Sequence, residues 1–456
     1  MPDDTYATGF HGSSNSFAHL LRSLRTCALL SQEQLARQSG LSVRTIRDLE
    51  GGHVACPRGE SVRLLADALQ LTGAARREFE LLSRPPQASQ PPAGGHSVVG
   101  YPGDGPRPAG RAAAAFGVPA QLPMDTPAFA GRTDELAQLD TLLERTVSRP
   151  ATVGVAALSG GAGVGKTTLA IHWAHGVRDA FPDGQMYLDL RGYGPRGKAV
   201  SSVRATQSLL GLLGLPRKQI PDDPDAQESL YRSTLSGRQT LIVLDNARNA
   251  TQVRPLLPGT PGCMVVVTSR NQLVGLVAVE SAQPITVGRP SVADARTMIV
   301  RRLGAGRVQS ELATVDEIIH RCARLPLAMA GVAGRFAIRS QFSLTALVAS
   351  ELGDTCGSLD LLGGDIATAV RTSFSWSYAT LSRDAAQVFR LFGGDPPADL
   401  TSVAAAGLAS IPEPRARAAL AELTQGNMVE ERAPGAFNAH RLLRAYASEL
   451  ARPAER

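Results

Sequence analysis

The run GGAGVGKTT at residues 160–168 follows the apolar stretch TVGVAALS at 152–159. It fits the pattern G-x-x-x-x-G-K-[ST] as Gly160, Gly165, Lys166 and Thr167. Small residues let the backbone N–H groups curl around a phosphate. Gly161 and Gly163 add tolerance for tight backbone angles. A helix beginning near Lys166 points its positive end at the anion. Lys166 neutralises the phosphate oxygens, Thr167 offers a hydroxyl to Mg²⁺, and Thr168 completes the candidate phosphate-contacting set. A strand, a glycine loop and a helix in that order decide the fold: an α/β P-loop nucleotide-binding domain.

Working outward, the apolar runs QMYLDL, TLIVLD and CMVVVTS share the length and Val/Ile/Leu content of strands buried on both faces. With TVGVAAL they predict a mostly parallel sheet between residues 151 and 290. TLIVLD ends in Asp245, in the position of the second acid that holds the metal near Thr167. Lys166 and Asp245 are thus the candidate catalytic pair. The next residue is Asn246, an amide that cannot take a proton from water. The reading is at most a slow ATPase acting as a switch. CMVVVTSR ends in Arg270, placed to meet a γ-phosphate and separate ATP from ADP.

The chain has 456 residues, 43% hydrophobic and 19% charged, which suits about three globular domains. No apolar run reaches membrane-spanning length and no leader pattern opens the sequence, so the expectation is a cytoplasmic protein without a membrane partner. Five cysteines, widely spaced and without a CxxC pair, encode neither a disulfide framework nor a zinc site. A net charge of +6 over this length says little about nucleic acid. Residues 84–127 are rich in Pro, Gly and Ala and poor in large apolar side chains. They predict a flexible linker. Helices dominate from about residue 291, with a small hairpin expected in MVEERAPGAFNA at 428–439 and a last helix through LLRAYASELA.

Before the linker, SQEQLARQSGLSVRTIRDLE at 31–50 carries a helix-turn-helix pattern. Ser31 and Gln34 form a capping box, Gly40 takes the turn, and Ser42 caps the second helix. Val43, Ile46 and Leu49 share one face of that helix. Arg44, Thr45 and Arg47 lie on the opposite face, where a major groove would meet them. Gln32 and Ser42, at helix starts, are placed to donate to phosphates. One such unit makes a small contact, so a dimer or a nucleotide-dependent homo-oligomer on double-stranded DNA is expected.

Residues 16–83 resemble the Xre/Cro-type helix-turn-helix domain, through SQEQLARQSGLSVRTIRDLEGG and the following PRGESVRLLADAL. That resemblance implies a five-helix DNA-binding domain. Residues 128–456 resemble the NB-ARC branch of the STAND class of P-loop ATPases. The matching stretches are FAGRTDELAQLDTLL (129–143), GGAGVGKTTLA, LIVLDNARNATQVRPLLPG, VVVTSR and RLPLAMA (324–330). The resemblance implies a nucleotide domain at 128–290, a helical domain at 291–362 and a winged-helix domain at 363–456. It implies that Phe129, Gly131 and Arg132 hold the adenine end of ADP or ATP, that Pro326 lies beside the base, and that His440 in NAHRLLRAYA meets the ADP phosphate. The flanking Ala439 and Arg441 depart from the family's Met and Asp. The acidic residue helps hold the closed form in that family, so Arg441 puts the latch in doubt.

Together the two halves are similar to actinobacterial AfsR-like transcriptional regulators, without the tetratricopeptide repeats of larger relatives. What this implies is a sequence-specific, ADP/ATP-controlled regulator of transcription, of secondary metabolism in that family, with a separate sensor protein as a possible partner. A rival reading is a STAND-type effector or signalling ATPase whose N-terminal helices bind a protein partner. Another is a site that holds ADP permanently as structure.

Overall fold

The computed structural model describes residues 21, 24–25, 30–50, 59–69, 71, 76 and 79, then 118–148, 152–195, 199–351, 359–394 and 399–451. The chain divides into two compact units, residues 1–109 and 110–456.

In the first unit, helices α1 (Gln32–Ser39), α2 (Val43–Glu50) and α3 (Gly59–Ala68) are described. Local chemistry sets both ends of α1. The Gln34 N–H donates to Ser31 Oγ at 3.1 Å and the Ser31 N–H to Gln34 Oε1 at 2.7 Å, a closed capping box. Gly40 ends the helix at φ +71°, a conformation that a side chain would strain. Leu35, Ile46, Leu49, Val62 and Leu65 are buried together with Leu21 and Phe79. The remainder of the five expected helices lies outside the described residues.

The second unit is built on five parallel strands: β1 (Gly154–Ser159), β2 (Gln185–Asp189), β3 (Leu241–Ala247), β4 (Met264–Ser269) and β5 (Gln283–Thr286), in the order β2-β3-β4-β1-β5. Alternation along each strand separates two cores. Val155, Ala157, Ile242, Leu244, Val265 and Val267 face one layer, which includes Leu209, Tyr231 and Leu235 of helices Ser202–Leu212 and Pro224–Leu235. Ala156, Leu158, Leu241, Val243, Met264 and Val266 face the other. There they meet α4 (Thr133–Ser148) and α5 (Lys166–Gly176).

That second core continues without a break into the C-terminal helices. Those of eight or more residues are α6 (Val292–Leu303), α7 (Leu312–Arg321), α8 (Pro326–Ile338), α9 (Leu344–Glu351), α10 (Gly364–Tyr378), α11 (Arg383–Leu391), α12 (Ser402–Ala409), α13 (Glu413–Gln425) and α14 (Arg441–Ala451). A hairpin of β6 (Glu430–Ala433) and β7 (Ala436–Asn438) precedes α14, turning through Pro434 and Gly435, the latter at φ +79°. Leu400 pairs with Phe437 beside it, with N–O distances of 2.8 and 3.0 Å.

Two sequence expectations need correction. The fifth strand, QPIT, was not expected. It is an edge strand in which only Ile285 is fully buried, so it lacks the apolar run that marks its neighbours. The linker, expected at 84–127, does not extend to 127. Residues 118–127 belong to the nucleotide unit, whereas 84–117 lie outside the described residues. The Gln185 N–H donates to the Pro119 carbonyl at 2.7 Å and the Gln121 N–H to the Gln185 carbonyl at 3.0 Å. β2 is the other sheet edge, and these residues cover it, so their backbone is satisfied despite the Pro-rich composition.

Candidate functional site

The carboxyl ends of β1, β3 and β4 converge on a cavity of about 480 Å³, within the range of small-ligand sites. The loop leaving β1 forms its floor. Gly163 and Gly165 hold φ +76° and +96°, and a Cβ on Gly160 would lie 2.3 Å from the Val287 carbonyl. These glycines are demanded by the backbone path. Gly165 caps α5 without a side-chain bond, so the first-turn N–H groups are not capped by a side chain. Lys166 is buried, its Nζ donating to the carbonyls of Gly160 and Gly161 at 2.8 Å each. Burial and then the nearby Arg270 lower its pKa to about 7, against the opposing pull of Asp245. Gly163, Gly165, Lys166, Thr167 and Thr168 line the cavity. Gly160 and Gly161 stand behind them as carbonyl partners of the lysine.

Three hydroxyls converge on Asp245. Thr167 Oγ1 donates to Oδ1 at 2.7 Å and Thr268 Oγ1 to the same oxygen at 2.5 Å. Tyr187 Oη donates to Oδ2 at 3.0 Å. Burial, reinforced by Asp245, pushes the Tyr187 phenol far above its usual range, so it remains a donor. Asn246 takes a left-handed φ of +56°. It lines the cavity, and its side-chain amide donates to the Tyr193 carbonyl at 3.1 Å.

The opposite wall is mostly apolar and includes Phe129, Ile171, Met298, Ile299, Pro326 and Met329. Phe129 stacks on His172 with ring centroids 3.9 Å apart. His172 Nδ1 pairs with Asp125 Oδ2 at 2.8 Å. The Phe129 carbonyl accepts from Arg301. Arg132, at φ +65°, donates to the Val164 carbonyl at 2.8 Å and pairs with Glu135 at 2.9 Å, so it braces the phosphate loop as well as lining the cavity. Gly131 is not a lining residue. It packs on Asp294, where a Cβ would come within 2.3 Å of the carboxyl carbon. Phosphate loop, hydroxyl–carboxylate cluster and apolar wall fit a nucleotide with its magnesium ion.

Arg270 links this cavity to the C-terminal helices. It lines the cavity, yet its guanidinium donates to the Ser373 carbonyl and, at 2.9 Å, to Ser377 Oγ, both on α10. The rings of Tyr193 and Trp376 lie 5.1 and 5.9 Å from it. Burial lowers its pKa to about 10. The Arg270 carbonyl accepts from Asn427 Nδ2 at 2.9 Å, and the Gln272 N–H donates to the Gln425 carbonyl at 3.1 Å. His440 does not line the cavity, contrary to expectation. Its Nδ1 accepts from the Leu443 N–H at 3.4 Å, at the start of α14, and its ring lies 6.0 Å from Phe374. Burial and then Arg289 lower its pKa to about 3. Cap formation and aromatic packing hold the ring in the C-terminal core.

On the helix-turn-helix, Ser42 Oγ accepts from the Thr45 N–H at 3.0 Å and shares a hydrogen bond with Thr45 Oγ1 at 2.8 Å. Arg44 is 90% exposed in its side chain, with Asp48 3.9 Å away, and Arg47 is exposed. Gln32 departs from its expected role. Its amide donates to Glu50 Oε2 at 2.7 Å, and Arg25 binds the same carboxylate at 2.6 and 3.1 Å, so it joins the start of α1 to the end of α2.

A helix-turn-helix domain family matches residues 16–79. The regulatory protein AfsR of Streptomyces griseus is 40% identical over 334 residues, 73% of this chain and 33% of that protein. AfsR of Streptomyces coelicolor is 38% identical over 342 residues, 74% of this chain and 34% of its own. The chain thus spans about a third of the length of the curated relatives it matches. A Walker-type ATPase of Pyrococcus abyssi overlays with a TM-score of 0.46 at 14% identity, covering 70% of this chain and 95% of that one. The chain carries a helix-turn-helix domain match ahead of an α/β unit with a G-x-x-x-x-G-K-T phosphate loop, and it shares extensive sequence with the AfsR regulators.

Proposed function

We propose that this chain, related over about three quarters of its length to the AfsR regulatory proteins, is a nucleotide-controlled regulator that binds duplex DNA. The observation that carries the reading is Arg270: one side chain lines the nucleotide cavity and is bonded to α10. A γ-phosphate recruiting that guanidinium competes with Ser373 and Ser377 for it. ADP leaves the contact in place. A ligand shifts such an equilibrium only by its differential affinity for the two arrangements, and Arg270 supplies that difference.

Phe129, Arg132 and Pro326 hold the base side, and Lys166 with the α5 N–H groups holds the phosphates. Thr167 and Asp245 hold magnesium. Magnesium, when bound, supplies positive charge across the phosphate oxygens. With an amide at Asn246 tied to Tyr193, turnover is slow and the nucleotide acts as a state marker. The α10–α14 helices with the β6–β7 hairpin act as the winged-helix domain, which moves when Arg270 is released from α10. Arg44, Thr45, Arg47 and Ser42 meet DNA, and two or more copies act together on one operator.

The test uses the full chain stripped of nucleotide, with ADP or ATP and magnesium. Particle mass and affinity for duplex DNA are measured in each state. ATP is expected to raise both. Equal mass and equal DNA affinity with the two nucleotides would sink the reading.

A further inference from the structure

We infer that Tyr187 is a positioning residue for the magnesium-holding carboxylate, acting through Asp245. The inference rests on the nucleotide-site reading above. In the parallel pairing of β2 with β3, Tyr187 lies opposite Val243, two residues before Asp245. Residues two apart on a strand share a face, so Tyr187 is the diagonal neighbour of Asp245. From there its hydroxyl reaches Oδ2, whereas the other two donors, Thr167 and Thr268, both use Oδ1. The two donors on Oδ1 restrain rotation about the Cβ–Cγ bond from one side of the carboxylate only. A donor on the second oxygen fixes its plane. Among the described residues Tyr187 is the donor on that oxygen, and its ring packs against the core beneath.

The position matters because the Thr167 hydroxyl has two tasks. Its proton goes to Asp245, which leaves the lone pairs of a cavity-lining oxygen available to a metal ion. A rotated carboxylate would take that proton in a different direction and misplace both oxygen ligands. Tyr187 therefore sets the metal-dependent part of nucleotide affinity. Among the described residues its hydroxyl bonds Asp245 and neither Lys166 nor the loop.

The test is Tyr187→Phe in the full chain, which keeps the ring and removes the hydroxyl. ADP affinity is measured with and without magnesium, and Mn²⁺ uptake with ADP present is followed by electron paramagnetic resonance. The metal-free affinity is expected to stay within about twofold, while the metal response falls roughly five- to tenfold. In an Asp245→Ala background the same change is expected to add nothing. An unchanged metal response overturns the inference. So does equal weakening with and without metal, which would mark Tyr187 as packing only. Failure of the unmutated chain to bind ADP in either condition overturns the nucleotide-site reading itself, together with this inference.

Discussion

The cations of the two units are held in opposite ways. On α2, Arg44 extends into solvent, with one weak contact to Asp48 at 3.9 Å, and Arg47 is also exposed. In the nucleotide cavity, Lys166 is fastened to two loop carbonyls and Arg270 to two groups on α10. A ligand for α2 adds contacts and displaces little. A ligand for the cavity must take its cations from internal partners. The first surface therefore reports affinity alone, whereas the second couples affinity to the arrangement of the chain. Exposed pairs contribute little to stability, so leaving the α2 arginines in solvent costs the fold little.

The largest effect that tests this contrast is expected from Lys166→Ala. Losing a buried charge-assisted contact to phosphate should weaken ATP and ADP alike by about a hundredfold or more, read by calorimetry. Duplex affinity without nucleotide should be retained, because that surface carries its own cations. Next comes Arg44→Ala with Arg47→Ala. Duplex affinity should fall by roughly tenfold or more, and the slope of log affinity against log salt should shrink by about 2. Nucleotide affinity should not move. An unchanged duplex affinity would instead favour a protein partner for the N-terminal helices.

How much was legible beforehand follows the same division between local and distant determinants. The α1 capping box and Gly40 lie within ten residues of one another in sequence, and residue type alone announced them. The phosphate loop and the strand that carries Asp245 were equally readable, since glycine spacing and a Val/Ile/Leu run are local signals. Tyr187 was not, because its link to Asp245 depends on strand register across 58 residues. The link from Arg270 to Ser373 and Ser377 spans more than 100 residues and ends on a carbonyl and a hydroxyl, groups with no sequence signature. Asp125 and His172 escaped notice for a related reason: the Pro-rich stretch around Asp125 concealed a wall segment. His440 shows the reverse error. A motif likeness put it at the nucleotide, whereas its half-buried ring caps α14 and lies outside the cavity lining.

Arg270→Ala sharpens the coupling argument. It should cut the preference for ATP over ADP in driving assembly by about tenfold, as one charge-assisted contact to a γ-phosphate disappears. Loss of its bonds to α10 should also quicken ADP release, measured by chasing labelled ADP. If ATP and ADP were discriminated as before, the side chain would be a structural tie only.

The smallest expected effect is a pH dependence, and its sign follows from Lys166. The free site holds this lysine at about 7, chiefly because burial disfavours its charge. Bound phosphates are opposite charges at close range, so they raise its pKa towards the ordinary lysine value. Binding above neutrality must then take up a proton, and affinity must fall as pH rises through the free-site value. Between about pH 7 and 8 the fall should be roughly fivefold, a range above most of the nucleotide's own phosphate titration. Calorimetry in two buffers of different ionisation enthalpy reads the proton directly, with close to one proton taken up per nucleotide near the upper end. Lys166→Arg, which stays charged at every working pH, should abolish the uptake even if it binds less well. The α2 face offers the control, since its arginines do not titrate in this range and duplex affinity should stay level across it.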